Sequence, residues 1–171
     1  MRITGGTFAG RDLTSPNDFR VRPTAEPVRA ALLDALAPDL PGARVLDLCA
    51  GTGALGLEAI SRGARNCDFV EFRPASLHAL KANIAALKLR DVTRVFKRDA
   101  VPFAAALAPD SYDIAFADPP YESRLPDLIL ASWHERRFAR ILAVEHAASH
   151  RLPKGRYHRI FEDAAVTVYR I

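Results

Sequence analysis

Asp118-Pro119-Pro120-Tyr121 follows an apolar run, Tyr112-Asp113-Ile114-Ala115-Phe116-Ala117, that reads as a buried strand. An acid, two prolines and an aromatic ring at the carboxyl end of a strand suit one chemistry well, the methylation of an exocyclic amine on a flat base. Such an amine is a poor nucleophile because its lone pair is delocalised into the ring. A carboxylate and a fixed backbone carbonyl can each accept one of its N–H bonds and hold the lone pair toward an incoming methyl group. The prolines fix φ and remove two N–H donors, leaving carbonyls to project from a stiff turn. The tyrosine offers a face on which the base can stack. The competing reading is a turn that only ends a strand.

A second group of residues points to a cofactor. Gly51-Thr52-Gly53-Ala54-Leu55-Gly56 follows the strand-like segment 44–48 and opens a helix-like one, so the G-x-G-x-x-G pattern falls in its proper context. Glycines there let the backbone approach a ligand and turn sharply into the helix. Glu71, at the end of the next strand-like segment, is placed to bind both ribose hydroxyls of a nucleoside. A dinucleotide would set its pyrophosphate on the helix N-terminus. Asp47, inside the first strand, would repel that group but attract the cationic amino-acid end of S-adenosylmethionine, directly or through water. Its alternative role is to cap a helix or brace a loop. Asp99 is expected to accept the adenine amine while the Ala100 backbone N–H meets the ring, with a plain helix N-cap as the other reading. Gly51, Gly53, Glu71, Asp47, Asp99 and Ala100 therefore form the candidate cofactor site.

The elements that must hold these groups alternate. Residues 2–14 read as a short hairpin and 15–24 as irregular, followed by a helix over 26–37 with apolar positions Val28, Leu32, Leu33 and Leu36. Strands over 44–48, 67–71, 93–97, 112–117 and 141–145 are separated by helices near 54–62, 74–89, 101–107 and 125–136. Alternating strands and helices, with apolar strands, predict a parallel sheet covered on both faces. The last segments, 157–161 and 165–169, flank Glu162-Asp163 and read as an antiparallel hairpin. No repeat, low-complexity tract or second domain stands out. In doubly wound sheets the first and fourth strands are neighbours at the crevice where ligands bind. The pattern thus sets the glycine loop beside the Asp118 turn, whereas a dehydrogenase reading would leave that turn without a task.

Composition narrows the class. The chain has 171 residues, 49% hydrophobic and 26% charged, which suits a single domain, 1–171, with a real core. No apolar run approaches the roughly 18 residues of a membrane span, and Met1-Arg2-Ile3-Thr4-Gly5-Gly6 has no apolar signal core. Cys49 and Cys67 match no metal or redox spacing and read as core thiols of a reducing cytosol, so the expected location is cytoplasmic. His78 and His146 have no evident metal partners, and no metal is expected. A net charge of +4 permits a polyanionic partner. Arg2, Arg11, Arg20, Arg22 and Arg29 outnumber the acids of the first 30 residues, which suggests an edge that contacts a phosphate backbone, although Arg29 could instead brace the active site from its helix. Lys154, Arg156, His158 and Arg159 form a second basic run, read as a solvated strand edge.

Several segments together resemble the RsmD family, bacterial class I methyltransferases that modify guanine N2 in small-subunit (16S) ribosomal RNA. They are Arg2-Ile3-x-Gly5-Gly6 with Gly10-Arg11, Arg22-Pro23-Thr24, Val28-Arg29, the run from Leu46-Asp47 through Leu57-Glu58-Ala59, Val70-Glu71, Asp118-Pro119-Pro120-Tyr121 and Val144-Glu145-His146. The acid-proline-proline-tyrosine motif is shared with enzymes that methylate adenine, so the hairpin glycines and the Arg22-Pro23-Thr24 segment carry more of the likeness. Ala30 and Leu33 stand where the family usually has Glu and Phe, Phe161-Glu162 replaces Tyr-Gly, and the stretch from 121 to 141 is short. The resemblance implies a Rossmann-like α/β sheet of seven strands with the last one antiparallel, S-adenosylmethionine as donor, an amine site of Asp118, Pro119 and Tyr121, and an N-terminal hairpin and arm, 1–24, on the RNA side of a core spanning 25–171. The expected activity is methylation of a guanine N2 in ribosomal RNA, free or within a small subunit. The alternatives are a DNA adenine-N6 methyltransferase, a noncatalytic RNA-binding module with a vestigial cofactor fold, and an NAD-linked oxidoreductase.

Overall fold

A computed structural model describes residues 1–16 and 24–171; Arg20, Arg22 and Pro23 lie outside them. The helices are α1 (Glu26–Ala35), α2 (Ala54–Ser61), α3 (Pro74–Ala86), α4 (Ala100–Ala105) and α5 (Leu125–Arg136). The strands are β1 (Arg44–Asp47), β2 (Asn66–Val70), β3 (Thr93–Phe96), β4 (Tyr112–Ala117), β5 (Ala139–Ala147), β6 (Tyr157–Ile160) and β7 (Ala164–Arg170). They form one seven-stranded sheet in the order β3-β2-β1-β4-β5-β7-β6. All pairings from β3 to β5 are parallel, and β7 runs antiparallel to both of its neighbours, as expected for a reversed last strand.

The central strands show why continuous apolar runs suit this arrangement. Ile114 and Phe116 of β4 face one core with α1, α2 and α3, while Ala115 and Ala117 face a second core with α4 and α5. Val45 and Leu46 of β1 divide in the same way. With both faces buried, there is no polar side for alternation to mark. Observed element ends fall within a few residues of those read from the sequence. The largest difference is β5, which runs two residues further at each end because it is laddered to β4 and β7 at once.

Residues 1–14 double back as predicted, with Ile3 N–H donating to the Arg11 carbonyl at 3.0 Å and Leu13 N–H to that of Met1 at 2.8 Å. This segment is no detached arm. Ile3 and Leu13 are buried in the first core, and the turn is docked on α2: Thr7 N–H donates to the Ser61 carbonyl, and Ser61 Oγ–H donates to that of Gly5 at 2.6 Å. Gly6 has φ +80°, and a Cβ there would lie 1.9 Å from the Ser61 carbonyl oxygen, so only glycine allows this approach. Asn83 on α3 completes the seam, accepting from Thr14 N–H and donating to the carbonyls of Thr14 and Thr52. No helix among the described residues is long and apolar enough to cross a membrane.

Candidate active site

β1 and β4 are hydrogen-bonded neighbours, with Asp47 paired to Phe116, so the loop after β1 and the turn after β4 emerge side by side. Between them lies a cleft of about 680 Å3 lined by Asp47, Gly51, Glu71, Asp99, Asp118 and Tyr121, among others. Every described residue expected to hold cofactor or amine, other than Gly53, thus lines one cavity. Gly53 acts from beneath it, as the left-handed residue (φ +83°) that turns the chain into α2; a Cβ there would meet Leu80 at 2.4 Å.

Glu71 shows how the loop is held. Its Oε2 accepts from Gly51 N–H at 2.9 Å, and its Oε1 accepts from the N–H groups of Phe72 and Arg73, each at 2.8 Å. A carboxylate has about four acceptor positions, so three backbone bonds leave capacity for a ribose hydroxyl beyond the bracing. The exposed ring of Phe72 lines the cleft directly after this acid and offers a face for a nucleobase. Its signal in the sequence is its place next to the strand-end acid. Asp99 occupies the N-cap position of α4 but makes no capping hydrogen bond, so the plain-cap reading does not describe it. Its exposed side chain and the buried Ala100 both line the cleft.

Asp47 is an acid buried at the base of the loop after β1, with an electrostatic signal of its own. It is 1% exposed, its Oδ2 accepts from Gly56 N–H at 3.2 Å, and its Oδ1 has no hydrogen-bond partner. Burial pushes its pKa from 3.8 up to about 7, and the nearby Asp118 and Glu71 carboxylates add to the effect. A buried, orphaned acceptor beside two further acids repels a pyrophosphate and favours a cationic ligand. The donor set therefore fits S-adenosylmethionine, with its ammonium and sulfonium charges, and not a dinucleotide.

The sign of the pH dependence follows. Between 3.8 and about 7 the folded chain keeps a proton on Asp47 that the unfolded chain has lost, so this group's contribution to stability declines as pH rises through that window. Binding a cation requires the ionised form. S-adenosylmethionine affinity is therefore expected to fall about tenfold per unit below pH 7, with a proton released on binding. Above about pH 8 the ligand's own amino group deprotonates, so affinity peaks between these limits. Calorimetry in buffers of differing ionisation heat reads both effects, and Asp47→Asn should lower the peak and flatten its acid side.

On the other wall, the half-buried Asp118 accepts through Oδ2 from the Thr24 hydroxyl, and Pro119 is buried beside it. The Tyr121 hydroxyl donates to Glu145 Oε1 at 2.9 Å, which tethers the ring to the end of β5. Thr24 and Glu145 are site residues that no local pattern assigns, although both stand inside segments that carry the family likeness, Arg22-Pro23-Thr24 and Val144-Glu145-His146.

The arginines divide. Arg2 and Arg11 are exposed; Arg2 makes a loose ion pair with Glu26 at 3.7 Å, and Arg11 donates to the Ala86 carbonyl. Arg22 lies outside the described residues. Arg29 corrects the expectation of an RNA contact. It is 0% exposed and ion-paired to Glu58 at 2.7 Å, so no phosphate can reach it, and the bracing alternative describes what it does. Lys154, Arg156, His158 and Arg159 are exposed on and just before β6, the outer strand, as read. Cys67 is a core thiol as expected. Cys49 instead lines the cleft in the loop after β1, and burial pushes both thiols up, away from the reactive thiolate.

Sheet order, cofactor loop and acid-lined cleft together define a class I, S-adenosylmethionine-dependent methyltransferase. The chain belongs to the family described as Conserved hypothetical protein 95, whose model matches residues 1–156. It is 35% identical over 126 residues to the putative rRNA methyltransferase YlbH of Bacillus subtilis, covering 72% of this chain and 68% of that one. It is 40% identical over 125 residues to ribosomal RNA small subunit methyltransferase D of Escherichia coli K12, covering 73% of this chain and 62% of that one. The resemblance to the RsmD family is thereby borne out. Among solved structures, the putative methyltransferase yhhF from Escherichia coli superposes with a TM-score of 0.85 at 32% identity, over 99% of this chain and 97% of that one.

Proposed function

We propose that the protein transfers the methyl group of S-adenosylmethionine to the N2 amine of a guanine in small-subunit ribosomal RNA. The observation that carries this reading is the shared cleft, with a cofactor loop on one wall and an amine-orienting turn on the other. The ribosomal RNA methyltransferase names of the two relatives support the substrate class. When bound, S-adenosylmethionine would supply an activated methyl group on a sulfonium, whose sulfur leaves as a neutral thioether. Glu71 and Asp99 would hold its nucleoside and Asp47 its ammonium. The target guanine leaves its stack and packs on Tyr121. Asp118 and the Pro119 carbonyl each accept a hydrogen bond from one of its two amine N–H groups, aim the lone pair and stabilise the positive charge that develops on nitrogen. Asp118 then takes the proton released after transfer, so it need not be a strong base beforehand.

Methyl-labelled S-adenosylmethionine, supplied with unmethylated small subunits, naked ribosomal RNA or duplex DNA, tests this directly once the labelled nucleoside is identified. N2-methylguanine in subunits or RNA is the expected product and shows which form is accepted. N6-methyladenine in DNA would overturn the substrate. Absence of label in all three, with cofactor bound, would overturn the proposed substrate and favour the noncatalytic RNA-binding alternative.

A further inference from the structure

Thr24 stands where three parts of the molecule meet, and the reaction outlined above gives it no task. Its hydroxyl donates to Asp118 Oδ2, and its carbonyl accepts from Arg29 Nη1 at 3.3 Å. Arg29 also donates through Nη2 to the Arg2 carbonyl and through Nε to Glu58 Oε2 at 2.7 Å. Glu58 belongs to α2, the helix that the cofactor loop opens, and both charged groups are fully buried. The backbone of Thr24 is therefore fixed to the helix behind the cofactor loop, while its side chain grips the turn that meets the amine. The same arginine binds the N-terminal hairpin into this junction.

We propose that Thr24 is a positioning residue for methyl transfer, which holds the Asp118 carboxylate in the orientation that receives the amine protons. This rests on the amine-orienting role proposed for Asp118. The physical need is plain. A carboxylate on a short side chain can rotate about two bonds, and a displacement of about 1 Å in a reacting geometry costs on the order of a hundredfold in rate. A hydroxyl whose own backbone is held by a buried ion pair removes that freedom. It also couples the separation of the two cleft walls to the seating of the hairpin.

The test is a single-turnover methylation assay on unmethylated small subunits, with cofactor Kd and unfolding temperature measured separately. Thr24→Val keeps the shape and deletes the donor; Thr24→Ser keeps the donor. The valine variant is expected to lose about 10–100-fold in rate with cofactor Kd and substrate KM within about twofold of wild type, and the serine variant to recover to within about threefold. In an Asp118→Ala background Thr24→Val should cost nothing more, because the group it positions is gone. Wild-type turnover by Thr24→Val, equal losses in the valine and serine variants, or an undiminished further loss on top of Asp118→Ala would each overturn the proposal. An impaired Asp118→Ala beside an unimpaired Thr24→Val removes Thr24's role alone. Near-normal turnover by Asp118→Ala removes the amine reading, and Thr24's role falls with it.

Discussion

Asp118→Ala should lower the single-turnover rate of methylation by about 10²–10³-fold while S-adenosylmethionine binds within about threefold of its wild-type affinity. Both halves follow from where the residue sits. The carboxylate follows the end of β4 on one wall of the cleft, the proposed amine side, whereas Gly51, Glu71 and Asp47 line the wall proposed for the cofactor. In the mechanism proposed above, its removal withdraws the acceptor that aims the lone pair and the charge that stabilises nitrogen as it becomes cationic. Asp118 is also one of the acids that raise Asp47, so its loss eases ionisation of Asp47 and offsets the negative charge withdrawn from the cofactor. Asp118→Asn keeps an acceptor but adds an N–H2 donor and no charge, and should recover only part of the rate. Stopped-flow or quenched single turnover, beside calorimetric cofactor binding, separates the two halves. Turnover within a few-fold of wild type in the alanine variant would show that Asp118 does not orient the amine.

The second large effect is on stability. Arg29→Met should cost about 3–5 kcal/mol, because it leaves Glu58 buried with part of its compensation gone. Glu58 is 0% exposed and accepts from the Thr4 hydroxyl, from Arg29 and from Arg62. Burial works against its charge, but these hydrogen bonds outweigh it and hold its carboxyl below the usual range. A depressed folded pKa contributes stability that is present above the unfolded value and lost as pH falls, so the native chain should soften in acid through Glu58. For a chain of this length the Arg29→Met loss corresponds to an unfolding midpoint lower by on the order of 10 °C. Adding Glu58→Gln removes a buried charge that Arg62 and Thr4 then compensate only in part, and should recover about 1–2 kcal/mol. A midpoint unchanged by Arg29→Met, measured by calorimetry at neutral pH, would mean that the pair contributes nothing net.

Arg29 also marks where the sequence was harder to read. Counted among the N-terminal cations it resembled a phosphate contact. Its spacing says otherwise, since Leu32, Leu33 and Leu36 lie three, four and seven residues further on and are all buried, which sets Arg29 on the apolar stripe of α1. A charge on that stripe needs a buried partner, and Glu58, set among Leu55, Leu57 and Ala59 on a helix buried nearly throughout, was the one on offer. The alternation of strands and helices was legible because its periods are local. So was the pairing of the glycine loop with Glu71, since only the next helix and strand, α2 and β2, separate them. Thr24 with Asp118, and Tyr121 with Glu145, join residues from different elements, and nothing local records such contacts. The departure at Leu33 has a simple outcome, since the leucine is fully buried in the first core.

The three backbone bonds accepted by Glu71 have a consequence for the cost of cofactor capture. The β1–α2 loop and the entry to α3 are drawn onto one carboxylate before any ligand is needed to organise them. The conformational entropy of that loop is lost during folding, not during association. The chain thereby carries a preorganised receptor, in which encounter with the cofactor is followed by docking and not by loop assembly, and the binding free energy is left to act on the reacting methyl group.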